Sequence, residues 1–134
     1  MAIERTEEFE VRASNDVVLV RQLVRQWSVE AGFSLVDQTK MVTAASELAR
    51  NTLEHGGGGT ACVEYLADGL RRGVRVIFED QGPGIPDITL ALRDGYTSRN
   101  GLGLGLGGAR RLVNDFDIES KPGEGTRVTI TRWK

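Results

Sequence analysis

Glu47 and Asn51 stand four residues apart in Ser46-Glu47-Leu48-Ala49-Arg50-Asn51. That spacing puts both side chains on one face of a helix, one turn apart. A carboxylate so placed can orient or deprotonate a nucleophile. An amide oxygen beside it suits a hard cation such as Mg²⁺, which takes oxygen ligands and keeps waters and substrate phosphates around it. Alone, the pair has an ordinary explanation: two polar residues on a solvated helix face. Two glycine motifs downstream give it a chemical one.

The first is Phe78-Glu79-Asp80-Gln81-Gly82-Pro83-Gly84. An apolar strand ends on an acid and turns at once through two glycines. Asp80, held at the strand edge, can accept from an exocyclic amine such as the N6 amine of adenine. Gly82 and Gly84 let backbone approach a flat ring closely, or take positive φ. A plain tight turn containing an Asp is the equal alternative. The second motif is Gly101-Leu102-Gly103-Leu104-Gly105-Leu106-Gly107-Gly108. Alternating glycines leading into a helix expose N–H groups at its positive end, a site for phosphates. Residues 103–108 fit G-x-G-x-x-G, but a dinucleotide fingerprint follows an apolar strand directly, and here the polar stretch 94–100 precedes it. The P-loop sequence is absent.

The elements that must position these residues follow from periodicity. Residues 9–13 alternate as a short strand. Val17, Val20, Leu23, Val24, Trp27 and Ala31 recur at helical spacing, predicting a helix over 16–31 capped by Ser14 or Asn15 and stopped by Gly32. A second helix spans 35–54, with Met41, Ala45, Leu48 and Thr52 or Leu53 on its apolar face. Residues 56–59 end it, and His55 sits where a cation meets the negative end of the helix dipole. Strands over 60–66 and 73–79 flank the Asp68-Gly69 turn of a hairpin. A helical turn covers 88–93. A glycine-rich lead-in opens a third helix over 102–114. Strands over 116–120 and 127–133 flank a Pro122-Gly123-Glu124-Gly125 turn. Helices layered on one face of a mixed sheet make the economical α+β architecture.

Whole-chain properties narrow the class. The 134 residues suit one domain. A net charge of −2 argues against a nucleic-acid footprint; the pairs Arg71-Arg72 and Arg110-Arg111 are too short for a binding stripe. Cys62 is the only cysteine, which excludes a disulfide framework and a cysteine metal site; in its apolar run it reads as a small core residue. The acidic N-terminus has no apolar signal region and no stretch is long enough for a membrane span. The expected compartment is the cytoplasm, away from membrane.

The Glu47/Asn51 helix face, the Asp80-x-Gly82-x-Gly84 strand exit and the 101–108 glycine run, in that order, resemble the N, G1 and G2 boxes of the GHKL ATPases and kinases. Gly125-Thr126 matches a further position of that family, where the hydroxyl helps the aspartate hold adenine. The resemblance spans almost the whole chain. It sharpens in residues 47–51, 79–87 and 123–126, which look like the bacterial RsbT-like serine/threonine switch kinases, relatives of the RsbW-type anti-sigma factors. It implies the Bergerat fold, a two-layer α/β sandwich, as a single ATP-binding kinase domain over residues 1–134. It also implies ATP, Mg²⁺ and a STAS-domain protein substrate phosphorylated on Ser or Thr.

Carried over by position, the resemblance makes Glu47 the general base and Asn51 the Mg²⁺ ligand. Asp80 would read adenine with help from Thr126. Gly82 and Gly84 would line the base pocket. Gly103, Gly105 and Gly107 would cradle the phosphates, with Thr97, Ser98 and Arg99 in a lid. The chain departs from the switch-kinase pattern at Gly107-Gly108, where a proline is usual. A PP2C-type phosphatase would be a further partner. The alternative within the family is an anti-sigma factor that sequesters a sigma factor when loaded with nucleotide. A histidine-kinase catalytic domain fits less well: it needs an acceptor His on a dimerisation helix, and the single His here ends the N-box helix.

Overall fold

The computed structural model describes residues 1–93 and 105–134. The chain runs β1 (Ala2–Val11), α1 (Ser14–Glu30), α2 (Leu35–Glu54), β2 (Gly59–Asp68), β3 (Arg71–Asp80), α3 (Ile88–Ala91), α4 (Gly105–Arg111), β4 (Asp115–Ser120) and β5 (Thr126–Trp133). The strands form one sheet in the order β1-β2-β3-β5-β4. The mixed sheet expected from sequence is corrected here: every neighbouring pair is antiparallel. The tight connections β2–β3 and β4–β5 can join only antiparallel strands. Because β4 takes the outer edge, β5 returns between it and β3, running against both.

Strand alternation builds the core. Phe78 pairs with Ala61 on one side and Val128 on the other, and Val76 with Val63 and Ile130. All six are buried. They form one core with Val17, Val20, Val24 and Trp27 of α1 and Met41, Val42 and Leu48 of α2. Three fully buried alanines on α2, Ala44, Ala45 and Ala49, keep its inner face small and its backbone close to its neighbours. Ser34 caps α2, accepting from Asp37 N–H at 3.1 Å. At its far side Asp37 accepts from Arg132 Nη2 at 2.7 Å, while Arg132 Nη1 donates to the Leu112 carbonyl at 2.8 Å. The Arg132 hydrogen bond holds the Asp37 carboxyl below its ordinary pKa. The bidentate use of Arg132 joins the start of α2 to β5 and the segment after α4.

Three local departures have physical reasons. β1 is ten residues long and pairs with nearly all of β2. It is an edge strand with only Val11 buried, so it lacks the alternation that marks a half-buried strand; Glu4, Glu7, Glu8 and Glu10 line it, all exposed, as charged side chains guard sheet edges. Arg5 anchors it instead, its guanidinium 4.2 Å from the Tyr65 ring and 5.2 Å from Trp27 and bonded to Glu30 at 3.2 Å. Helix α1 has Ala13 as its N-cap rather than Ser14 or Asn15. Asp16 reaches back to accept from Arg12 and Ala13 N–H at 2.9 and 3.0 Å, so no capping hydroxyl is needed. Cys62 lies half-buried opposite Ile77 on the alternate positions of β2 from Ala61 and Val63, not in the helix-covered core. Burial, with Glu64 and Glu8 nearby, pushes its thiol pKa up. Among the described residues no helix is long and apolar enough to cross a membrane.

Candidate functional site

Helix α2 is unbroken through both N-box residues, ending at Glu54 as expected. Leu48, Ala49 and Thr52 face the core, which leaves Glu47 and Asn51 half-buried on the flank. Glu47 Oε1 accepts from Arg50 Nη1 at 2.8 Å, and the Glu47 side chain retains 15% exposure. Its carboxylate is therefore held, yet still reachable. The Asn51 carbonyl accepts from both His55 and Gly56 N–H, at 2.9 and 3.2 Å. The helix thus stops one turn beyond Asn51.

That end of α2 abuts the end of β3. Asp80 is the last residue of β3, paired with Gly59 on β2 and Thr126 on β5. It is buried, as is Thr126. Its Oδ1 accepts from Gly82 N–H at 2.9 Å, and Oδ2 makes no hydrogen bond to a described residue. A carboxylate oxygen with acceptor capacity to spare suits an amine or amide donor. Gly56 makes this possible, since a Cβ there would run into the Asp80 carboxyl group. Gly82 backs onto the Gly56 backbone just as closely.

The loop after β3 is fastened on both sides. Gly84 has φ of 75° and lies against the Lys121 carbonyl, a conformation and a spacing open only to glycine. His55 Nε2 lies 3.3 Å from the Gly84 carbonyl, tying the α2 C-cap to the loop. The Pro83 carbonyl accepts from Gly123 N–H at 2.7 Å, and Ile85 N–H donates to Ser120 Oγ at 2.8 Å. Ser120 Oγ also lies 2.8 Å from Thr126 Oγ1 and 3.0 Å from the Gly125 carbonyl.

The described elements on either side of the glycine run's expected position are short. Helix α4 is described from Gly105 (φ 68°) to Arg111; it ends short of the expected 114, and the expected start at 102 lies outside the described residues. Gly107 is buried and its α-carbon backs onto the Leu92 and Arg93 carbonyls, with no room for a side chain. That packing accounts for a glycine at this position where the switch-kinase pattern differs. Thr89, Leu92, Arg93 and Arg110 line a cleft of about 540 Å³ between α3 and α4. Gly103 and the lid residues Thr97, Ser98 and Arg99 lie outside the described residues.

The structure therefore brings Asp80, Gly82, Gly84 and Thr126 together at one end of the sheet, with Asn51 one helical turn from their junction with α2. Sequence reasoning missed Ser120, Gly56 and the His55 contact. For Ser120 a signal existed: the hairpin turn over 122–125 sets the register that places it opposite Thr126.

Comparison with known proteins follows the same lines. Residues 36–134 match the model of the histidine kinase-, DNA gyrase B-, and HSP90-like ATPase family. The serine/threonine-protein kinase RsbT of Bacillus subtilis (strain 168) is 46% identical over 118 residues, covering 88% of this chain and 89% of that protein. An anti-sigma F factor of Thermoanaerobacter sp. (strain X514) is 26% identical over 126 residues, covering 90% and 87%. Among solved structures, the RsbU and RsbW domains of Rv1364c from Mycobacterium tuberculosis superpose with a TM-score of 0.62 at 25% identity, over 96% of this chain; the chain spans 31% of that structure. The mycobacterial sensor histidine kinase MprB shares the fold at 16% identity and a TM-score of 0.55, over 96% of this chain and 97% of that one.

Proposed function

The chain belongs to the histidine kinase-, DNA gyrase B- and HSP90-like ATPase family, and from that premise we propose that it is a protein serine/threonine kinase of a bacterial partner-switching pathway, transferring the γ-phosphoryl group of ATP to a STAS-domain antagonist. The observation that supports this reading is the approach of the end of α2 to the buried Asp80, through Gly56: Glu47 and Asn51 lie on that helix, and Asp80 is paired with Thr126. The extent of identity to a serine/threonine-protein kinase supports the reaction class.

In this reading the open oxygen of Asp80 takes the N6 amine of adenine, with Thr126 beside it and Gly82 and Gly84 framing the ring. The backbone N–H groups around Gly103, Gly105 and Gly107 receive the phosphates. Asn51 holds Mg²⁺ through its amide oxygen. Among the described residues no three His, Cys, Asp or Glu side chains gather as a metal cage, and Mg²⁺ in phosphoryl-transfer sites is commonly held by one or two protein groups, substrate phosphates and water. The cation supplies neutralisation of phosphate charge. Arg93 and Arg110 add fixed positive charge at the neighbouring cleft.

Glu47 acts on the acceptor. The Ser or Thr hydroxyl oxygen attacks the γ-phosphorus, the bond to the β–γ bridging oxygen breaks, ADP leaves, and the hydroxyl proton passes to the Glu47 carboxylate. Arg50 steadies that carboxylate. Phosphoryl transfer asks for little beyond positioning and charge stabilisation, which these residues can provide. The whole chain acts as a single domain in the cytoplasm, and a PP2C-type phosphatase is a further partner.

The likeness to anti-sigma F factors favours a second reading, a nucleotide-dependent protein that sequesters a sigma factor. Incubation with γ-labelled ATP, Mg²⁺ and candidate STAS-domain proteins separates the two. Label on a Ser or Thr of one of them, lost with Glu47→Ala, supports the kinase. ATP binding with no label, and a stable complex with a sigma factor, supports the second.

A further inference from the structure

Thr126 can face a base as a hydrogen-bond donor or as an acceptor, and the hydrogen bonds around Ser120 decide which. Ser120 ends β4 directly opposite Thr126. Three groups surround its Oγ: Ile85 N–H at 2.8 Å, the Gly125 carbonyl at 3.0 Å and Thr126 Oγ1 at 2.8 Å. A hydroxyl has one proton and two lone pairs. Ile85 N–H can only donate and uses one lone pair. The Gly125 carbonyl can only accept, and it competes with Thr126 Oγ1 for the one Ser120 proton. With that proton donated to the Gly125 carbonyl, what Ser120 has left is a second lone pair, and its contact with Thr126 is then a hydrogen bond in which Thr126 donates. Thr126 thereby directs its proton away from the base site and keeps lone pairs for it.

The neighbouring wall has the same polarity. Asp80 Oδ1 takes the Gly82 N–H, and the remaining carboxylate oxygen is an acceptor too. The geometry points to Ser120 as the residue that sets the base selectivity of this site: by fixing Thr126 as an acceptor, it makes the wall beside Asp80 acceptor-only. Such a wall receives the 6-amino group of an adenine nucleotide, directly or through a water. It rejects the 6-oxo group of hypoxanthine or guanine, because two acceptors facing each other leave both desolvated and unpaired. Sites built to hydrogen-bond one polar group discriminate strongly for the same reason. This inference rests on the reading of Asp80 as the adenine contact. Ser120 works through Thr126 and is a positioning residue.

Calorimetric Kd values for ATP and ITP, with wild type, Ser120→Ala, Ser120→Thr, Thr126→Val and the Ser120→Ala/Thr126→Val double variant, test it. Wild type should prefer ATP. With Ser120→Ala, Thr126 is free to turn its proton toward the base, and the ATP-to-ITP ratio should narrow by about five- to tenfold, the worth of one neutral hydrogen bond. Ser120→Thr, which keeps one hydroxyl, should restore the ratio. In the double variant, loss of Ser120 should leave the ratio of Thr126→Val unchanged. Equal weakening of both nucleotides by Ser120→Ala would make Ser120 a brace for the loop and overturn the proposal. If Ser120→Ala loses its cooperative thermal melt, Thr126→Val and Ser120→Thr decide: a ratio unmoved by Thr126→Val, or not kept by Ser120→Thr, overturns it equally. Failure of the underlying reading looks different. Wild type would then show no preference, and Asp80→Asn would not alter the ratio.

Discussion

Around Asp80, the end of α2, the loop after β3 and the facing ends of β4 and β5 are locked by side-chain hydrogen bonds and by glycine backbone pressed on backbone. Around Gly105, the described residues are two helices of four and seven residues, the shorter without a buried residue, meeting where Gly107 backs onto Leu92. Helices of that length have almost no stability of their own, so their geometry depends on what they pack against. The contrast divides the labour of the site. On the proposed reading, base recognition would be preorganised, and the nucleotide itself would help to complete the positioning of its phosphates.

Glu47→Ala should separate the two halves most sharply. Loss of a general base lowers the transfer rate by about 10²- to 10⁴-fold, while ATP affinity by calorimetry stays near that of wild type. Affinity falling in step with rate would mean that Glu47 shapes the site rather than serving the reaction. Next in size is Asp80→Asn. A hydrogen bond to a charged group is worth about 1.5–3 kcal/mol, or roughly 10- to 100-fold in Kd. That loss should appear with ATP and be much smaller with a purine riboside triphosphate lacking the 6-amino group. Similar losses for both would remove Asp80 from base recognition.

A glycine pair measures how rigid the base side is. Gly123 and Gly125 have φ of 79° and 84°, but a Cβ at Gly123 meets open space while one at Gly125 meets the Asp80 carbonyl. Alanine at either should cost about 1–2 kcal/mol for the left-handed backbone, and at Gly125 more, by urea unfolding. Equal losses would show that the backbone near Asp80 yields. The smallest effect belongs to Asp37, at the end of α2 away from Asp80. Its pKa is depressed on folding, chiefly by the Arg132 hydrogen bond. A depressed carboxyl stabilises the fold above its unfolded pKa, and that stability is lost as pH falls through the folded pKa. Thermal melts should therefore fall with acidification below the ordinary carboxylate range, less steeply in Asp37→Asn, with ATP affinity at neutral pH unchanged.

Much of this arrangement was legible in the sequence where burial is one-sided. The apolar spacing of Met41, Ala45 and Leu48 and the glycines after His55 marked α2 to its observed ends. The Asp68-Gly69 turn marked the β2–β3 hairpin, whose strands run one or two residues further than expected. β1 was legible only at its C-terminal end, because hydrogen bonds rather than buried side chains hold an edge strand. Ser120 was invisible as a residue type, being one serine at a polar strand end; only register gives it partners. The sheet's antiparallel order was likewise hidden, since alternation says which face a residue takes and nothing of strand direction.

Asp80 is flanked in the sheet by Gly59, made before it, and by Thr126, near the last residue described. The hairpin β2–β3 can form as soon as both strands leave the ribosome, but the other wall of the base site arrives only with β5. A nascent or truncated chain that stops short of Thr126 would carry the N-box helix and the glycine loop and still have no finished pocket for adenine. On the proposed reading, nucleotide binding would wait for β5, and ATP would favour chains whose β4–β5 hairpin has docked.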